Sequence, residues 1–257
     1  MLAIERRRVI LSRLQASGKV LVSELSRDFG VTEETIRRDL EKLDAEGLAS
    51  KTYGGAVSRQ NATLDLPYNV RAGFNVGQKQ IISDIVSTLI QDGDRVMLDA
   101  SSTALYVLKR LKDKGRLTVI TNSVNILLEL ADKSDWMVLS TGGALKKGAL
   151  SLNGSSAEKM IKSYHVDAVI FSCTGLDTNL GATDSNEANS LIKQAMIASA
   201  DRRILVLDNE KFDKKSFVSI CSLDDIDTIV TDRKPSEKWV NICAEKNIEL
   251  FCGKDVL

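Results

Sequence analysis

Apolar residues in the stretch "VTEETIRRDLEKLDAEG" (31–47) fall at Ile36, Leu40 and Leu43, the i, i+4, i+7 spacing of one stripe on an amphipathic helix. Thr32 is placed to cap its start, Glu33 and Glu34 sit in the first turn against the positive end of the helix dipole, and Gly47 follows as a stop. The helical period puts Glu34, Arg38 and Glu41 opposite the stripe, with Arg37 on one flank and Thr35 and Lys42 on the other.

Upstream, Ile10, Leu11 and Leu14 face inward on a first helix that breaks at Gly18. A second helix has Ser23 as its expected N-cap and Val22, Leu25 and Phe29 as its apolar spacing, and Gly30 supplies the tight turn into the third. Downstream, "LASKTYGGAV" alternates and then turns at Gly54-Gly55, the pattern of a small hairpin or wing from which Lys51 and Tyr53 can reach a phosphate backbone. Residues 1–57 therefore read as a winged helix-turn-helix, whose third helix presents its polar face to the DNA major groove.

On that face Arg38 is the candidate for bidentate contact with guanine, and Glu34 either accepts from cytosine N4 or orients Arg38. Thr32 lies at the helix entrance, Thr35 suits a base edge or a phosphate, and Arg37 suits a phosphate. The same charges also suit an ordinary wet helix, because Glu33 with Arg37 and Glu34 with Arg38 are i,i+4 pairs contributing about 0.2–0.5 kcal/mol each. A bidentate arginine–guanine contact discriminates by about 1–3 kcal/mol, so the arginine counts for more in binding than in helix stability.

A polar stretch carrying Pro67 and two glycines, residues 58–78, is the expected linker. From 79 to 257, β-branched runs ("RVMLD", "LTVIT", "WMVLS", "DAVIF", "RILVL", "DTIVT") alternate with helical patterns, which predicts an α/β domain with a largely parallel sheet. Ligands of such sheets bind beyond the carboxyl ends of the strands. The first exit offers Asp99, Ser101, Ser102 and Thr103, where hydroxyls and free N–H groups at a helix start either hold a phosphate or simply cap the helix. Later exits offer Thr121, Asn122 and Ser123; Gly142 and Gly143; Gly175 and Asp177, with Glu187 and Lys193 across a helix start; and Asp208 with Lys211. Small hydroxyls, glycines and lysine at successive exits suit a small anionic ligand bearing hydroxyls, of which phosphorylated sugars are the natural class.

Charge changes this picture little. The chain has 35 Lys and Arg against 35 Asp and Glu, and residues 1–60 have 11 against 9, so attraction to DNA must be local. The four cysteines lack C-x-x-C spacing, so neither zinc nor a disulfide framework is expected, and no cofactor or metal is implied. His165, the one histidine, precedes a strand and reads as a packed or edge residue. No apolar run is long enough for a signal peptide or a membrane span, so the expected location is the cytoplasm.

The block "VTEETIRRDLEKLDAEGLASKTYGGAV" resembles the N-terminal signature of the DeoR family of bacterial transcriptional regulators. The resemblance implies a winged helix-turn-helix in which Thr35, Arg37, Arg38 and Asp39 are motif positions, Asp39 orienting an arginine or capping. It also implies a C-terminal sensor domain similar to ribose-5-phosphate isomerase that binds phosphorylated carbohydrate intermediates, with a pattern of D-x-G-T/S-T, T-N-S, G-G, G-x-D, E-x5-K and D-x-S-K. That pattern falls on Asp99, Ser102 and Thr103; on Thr121, Asn122 and Ser123; on Gly142 and Gly143; on Gly175 and Asp177; on Glu187 and Lys193; and on Asp208 and Lys211. Ser101 and Ser172 stand where glycine is common, and Asn209-Glu210 replace the usual x-Ser, adding a carboxylate beside the phosphate lysine. The implied function is a repressor of a carbohydrate-catabolism operon, bound to double-stranded operator DNA as a dimer or higher homo-oligomer and released by a phosphorylated sugar or polyol. The alternative is an isomerase-like enzyme using Asp99, Asp177, Glu187 and Lys193 as acid, base and electrostatic groups.

Overall fold

Glycine sets the corners of the N-terminal part of this computed structural model, which describes residues 1–57, 67–132 and 135–253, apart from the side chains of Arg8, Ser12, Gln15 and Ala16. Helix α1 (Ala3–Ser17) ends at Gly18, whose φ of 74° lets its N–H bond the Leu14 carbonyl at 2.9 Å. A short strand β1 (Lys19–Leu21) leads directly into α2 (Val22–Phe29), which stops at Gly30 with φ 63°. Helix α2 thus starts one residue before the expected cap: Ser23 lies inside it, because pairing of β1 brings Leu21 to the cap position. Helix α3 (Glu33–Ala45) begins as expected, the Thr32 hydroxyl accepting the Thr35 N–H at 3.2 Å.

Strands β2 (Ser50–Thr52) and β3 (Gly55–Val57) form the hairpin, and β1 joins it in the order β1-β3-β2. Gly55 is required there, since a Cβ would lie 2.1 Å from the Val20 carbonyl oxygen. Ile10, Leu14, Leu25, Ile36, Leu40 and Leu43 make the core of this unit, and the expected inward stripes are buried apart from Phe29, which is half-buried.

The chain divides into two compact units, Met1–Leu66 and Pro67–Leu257. Residues 67–78, read above as linker, belong to the second: α4 (Tyr68–Ala72) and the start of α5 (Val76–Leu89) lie there, while 58–66 fall outside the described residues. The second unit continues through β4 (Arg95–Leu98), α6 (Ser102–Leu111), β5 (Thr118–Thr121), α7 (Val124–Leu130) and β6 (Met137–Ser140). Next come β7 (Ala144–Lys146), β8 (Ser151–Asn153), α8 (Ser155–Lys162), β9 (Val166–Phe171), β10 (Gly175–Asp177), β11 (Gly181–Asp184) and α9 (Glu187–Ile197). Then β12 (Ala200–Val206), β13 (Val218–Cys221), β14 (Thr228–Thr231), α10 (Glu237–Glu245) and β15 (Glu249–Cys252) complete the order.

Seven strands form one parallel sheet, β15-β14-β12-β9-β4-β5-β6. Neighbouring residues of a strand point to opposite faces, so Val96 and Leu98 enter one core with Ile82, Val107 and Leu108, while Met97 enters the other with Ile192, Met196 and Trp239. All four cysteines are free. No helix among the described residues is long and apolar enough to cross a membrane.

Candidate functional site

On α3 the stripe turns Glu34, Arg37, Arg38 and Lys42 outward, all exposed. Arg37 donates to Glu33 at 2.6 Å and Arg38 Nε to Glu34 at 3.2 Å, so the i,i+4 pairs form while the Arg38 side chain keeps 75% of its surface open. Glu34 is therefore positioned to orient Arg38. The Thr35 hydroxyl is taken up by Thr32 at 2.9 Å, tying both threonines to the helix start. Lys51 reaches back from β2 to Glu41 at 2.6 Å, and Tyr53 is fully exposed at the tip of the wing. Sequence reasoning did not single out Arg6 and Arg7 of α1. Both donate to the buried carboxylate of Asp39, at 2.5 and 3.3 Å.

The second site follows from strand order. Strand β4 continues through α6 to β5 on one side, whereas β9 arrives on its other side, so the chain reverses its winding between β4 and β9. The crevice at such a switch point is where parallel sheets take ligands. Asp99 leaves β4 there. Its carboxylate, 1% exposed, accepts the N–H groups of Ser101 and Ser172, each at 3.1 Å. Lys193 from α9 comes within 3.5 Å of the same carboxylate, donates to the Ser172 carbonyl at 2.7 Å, and pairs with Asp184. Burial drags the Lys193 ammonium down, but Asp184 and Asp99 outweigh it and hold its pKa above the usual lysine value. Burial likewise pushes Asp184 up, yet Lys193 keeps it below the carboxylate range.

Beside this pair lies a cluster of positive groups. Lys211, from the short turn after β12, is within 3.6 Å of Asp208 and 3.4 Å of the Ser172 hydroxyl. Lys79 of α5 is buried, and its Nζ donates to the carbonyls of Arg71 and Phe74 at 2.6 Å each. Burial, reinforced by the charge of Lys211 and then of Arg71 and opposed by Asp208, lowers its pKa to about 7. Ser102 donates to the same Arg71 carbonyl at 3.3 Å, so α4 is strapped to the start of α6. Arg71 and Lys79 escaped the sequence reading because a basic residue on an amphipathic helix reads as solvated. The added carboxylate of Glu210 is exposed and takes the Asn75 amide at 3.5 Å.

Several of the remaining predicted residues have local partners. Ser101 caps α6 by accepting the Ala104 N–H at 3.0 Å, Ser123 caps α7 by accepting that of Ile126 at 3.3 Å, and Thr103 is buried in the first turn of α6. Thr121 donates to the Leu98 carbonyl at 2.7 Å, and Asn122 is buried beside β8. A Cβ on Gly143 would sit 2.5 Å from the Asn153 carbonyl oxygen and one on Gly175 2.5 Å from that of Lys214, whereas Gly142 faces open space. Asp177 closes β10, where it accepts the N–H groups of Asn179 and Leu180 at 2.9 and 3.1 Å and lies 3.6 Å from Lys215. Glu187 is exposed at the start of α9.

Family models match both units: the DeoR-like helix-turn-helix domain over residues 6–62 and the DeoR C-terminal sensor domain over 74–233. The chain is similar to the uncharacterized HTH-type transcriptional regulator YulB of Bacillus subtilis, 40% identical over 97% of this chain and 96% of that protein. It is similar to the L-fucose operon activator of Haemophilus influenzae, at 33% over 95% and 97% of the two chains. The transcriptional repressor AccR of Agrobacterium fabrum is 35% identical over 89% of each. Ribose 5-phosphate isomerase A of Methanocaldococcus jannaschii overlays 54% of this chain and 55% of its own with a TM-score of 0.38 and 14% identity, too slight a likeness to bear on function. With both models matched in chain order and relatives aligned along nearly their whole length, the chain belongs to the DeoR family of transcriptional regulators.

Proposed function

We propose that this DNA-binding regulator represses a carbohydrate-catabolism operon and that a phosphorylated sugar or polyol, bound at the β4/β9 switch point, releases it from its operator. The observation that carries the reading is the convergence of Arg71, Lys79 and Lys211, opposed by Asp208, beside a buried aspartate–lysine pair at the strand exits. With Lys79 protonated, Lys193, Lys211, Lys79 and Arg71 outnumber Asp99, Asp184 and Asp208 by one charge, which favours an anion, and the hydroxyls of Ser102, Thr103 and Ser172 suit its oxygens.

Arg38 and Glu34 would read base edges, with Thr32, Thr35, Arg37, Lys42, Lys51 and Tyr53 around them on the backbone. Two copies of the chain would place two recognition helices in successive major grooves, about 34–36 Å apart or at multiples of that distance. Helix α4 opens the second unit in chain order, and its Arg71 carbonyl is held by Ser102 and Lys79, so an effector in this crevice would adjoin the first helix of the sensor unit. The effector can weaken operator binding only by its preference for the released arrangement, commonly about 1–3 kcal/mol of coupling per site.

Operator binding tests both halves. Fluorescence anisotropy with the neighbouring promoter region should show binding at low ionic strength that a sugar phosphate reverses and that free sugar does not. Absence of binding to any fragment removes the DNA half; binding that no sugar phosphate alters removes the effector half. Promoter activity with and without the protein gives the sign of regulation, since the relatives include both a repressor and an operon activator. The same incubation, assayed for aldose–ketose interconversion against a Glu187→Gln control, should show no turnover. The Asp99 carboxylate is already engaged: it accepts two backbone N–H groups and faces Lys193.

A further inference from the structure

Ser151, Asn153 and Asn189 carry no motif, yet the fold gathers them against Asn122 in a patch of amides and one hydroxyl without formal charge. The Leu152 N–H bonds the Asn122 carbonyl at 2.8 Å and the Val124 N–H bonds that of Leu150 at 3.0 Å, so β8 runs along the exit of β5. Asn122 Nδ2 donates to the Leu152 carbonyl at 3.2 Å and approaches Asn153 Oδ1 at 3.4 Å. Asn153 Nδ2 donates to Ser151 Oγ at 3.1 Å and to Asn189 Oδ1 at 3.2 Å, and Ser151 Oγ approaches Asn189 Oδ1 at 3.4 Å. Asn189 precedes Lys193 by one helical turn on α9, so a single helix face serves this patch and the buried pair at Asp99.

The donors in this chain have a direction, and it leaves one acceptor over. Asn122 is 2% exposed, and its Oδ1 has no partner among the described residues. Turning the amide over does not help, because the oxygen would then face the Leu152 carbonyl. A buried amide oxygen left unpaired is costly, so a donor from outside the chain is wanted. The phosphate end of a ligand has little to donate, whereas a hydroxyl donates to Oδ1 and brings no charge into a neutral patch.

We infer that Asn122, Ser151, Asn153 and Asn189 form a hydroxyl-reading subsite in which Asn122 Oδ1 accepts from a hydroxyl at the uncharged end of the sugar or polyol, an assignment that rests on the effector reading proposed above. The cations hold the anionic end of any candidate alike; this patch selects among them. A site built to hydrogen-bond a hydroxyl rejects the analogue that lacks it far more strongly than an apolar pocket rejects a change of size.

Isothermal titration of the full chain with inorganic phosphate, glycerol 3-phosphate, a set of pentose and hexose phosphates and their deoxy counterparts tests this. The parent should bind at least one sugar phosphate about tenfold or more tighter than inorganic phosphate and than its deoxy counterpart. Asn189→Ala and Asn153→Ser should each erase most of that preference while inorganic phosphate binds as in the parent. Asn189 is only half-buried, so its variant keeps the test open should Asn153→Ser fold poorly. Preference surviving in a folded variant, or phosphate affinity falling in step with that of the sugar phosphate, overturns the subsite. A parent that binds inorganic phosphate without preferring any sugar phosphate overturns the subsite and leaves the anion site standing; a parent that binds no probe overturns both.

Discussion

Asp39 and Arg6 meet at 2.5 Å across the interface of α1 and α3, both buried, with Arg7 at 3.3 Å on the second carboxylate oxygen. The residue that follows Arg38 on the recognition helix therefore fastens that helix to the first one. Removing one member of a buried pair leaves the other charge uncompensated, at a cost of about 3–5 kcal/mol. Asp39→Ala should lower the denaturant midpoint of the DNA-binding unit accordingly, and Asp39→Leu combined with Arg6→Met should recover much of the loss. An unchanged midpoint for Asp39→Ala would show that the bridge does not hold the helices.

Arg38 has the opposite standing. Its partner Glu34 is exposed, so the pair adds little to folding, about 0.2–0.5 kcal/mol. Arg38→Ala should leave the thermal transition almost unmoved and weaken operator binding by about 1–3 kcal/mol, measured by anisotropy at fixed salt. Operator affinity equal to that of the parent would take Arg38 out of the groove.

Lys211 should matter to the effector alone. Lys211→Ala should retain operator affinity yet fail to release DNA on addition of a sugar phosphate that releases the parent. Normal release would remove Lys211 from the anion site.

Lys79 gives a pH dependence with a defined sign. In the folded chain burial, helped by Lys211, lowers its pKa to about 7 from the ordinary 10.5. Between those values the unfolded chain binds the extra proton, so stability rises with pH across that window, by at most about 1.4 kcal/mol per pH unit. Below about pH 7 both states carry the charge, and its burial penalty is felt in full. Lys79→Met should flatten the slope relative to the parent in denaturation series run between pH 7 and 10. An anion bound beside Lys79 should favour the ammonium, so binding near pH 8 should take up protons. Titration calorimetry in two buffers of different ionisation enthalpy measures this, and equal heats would show that Lys79 is not linked to the ligand.

Local pattern made much of this legible. Apolar spacing located the three N-terminal helices, glycines marked their corners, and β-branched runs located six of the seven strands of the large sheet. The strand-exit rule directed attention to Asp99, Lys193 and Lys211. Strand β1 was missed because three residues carry no period, and β15 because its apolar run is short. Ser23 was read as a cap on residue type alone, although partner strands fix where β1 ends and α2 begins.

The chain's local pattern sets the inward and outward faces of its helices and strands, because period and residue type act over a few neighbouring residues. It thereby determined the helix-turn-helix and the alternation of strands and helices. Folding alone brings β4 beside β9, gives Asp39 the particular partners Arg6 and Arg7 on α1, buries Lys79 near Lys211, and leaves the Asn122 side-chain oxygen unpaired among the described residues. Each of these is a meeting of groups distant in the chain. Its energy depends on desolvation and distance, which are set only when the sheet order brings the groups together.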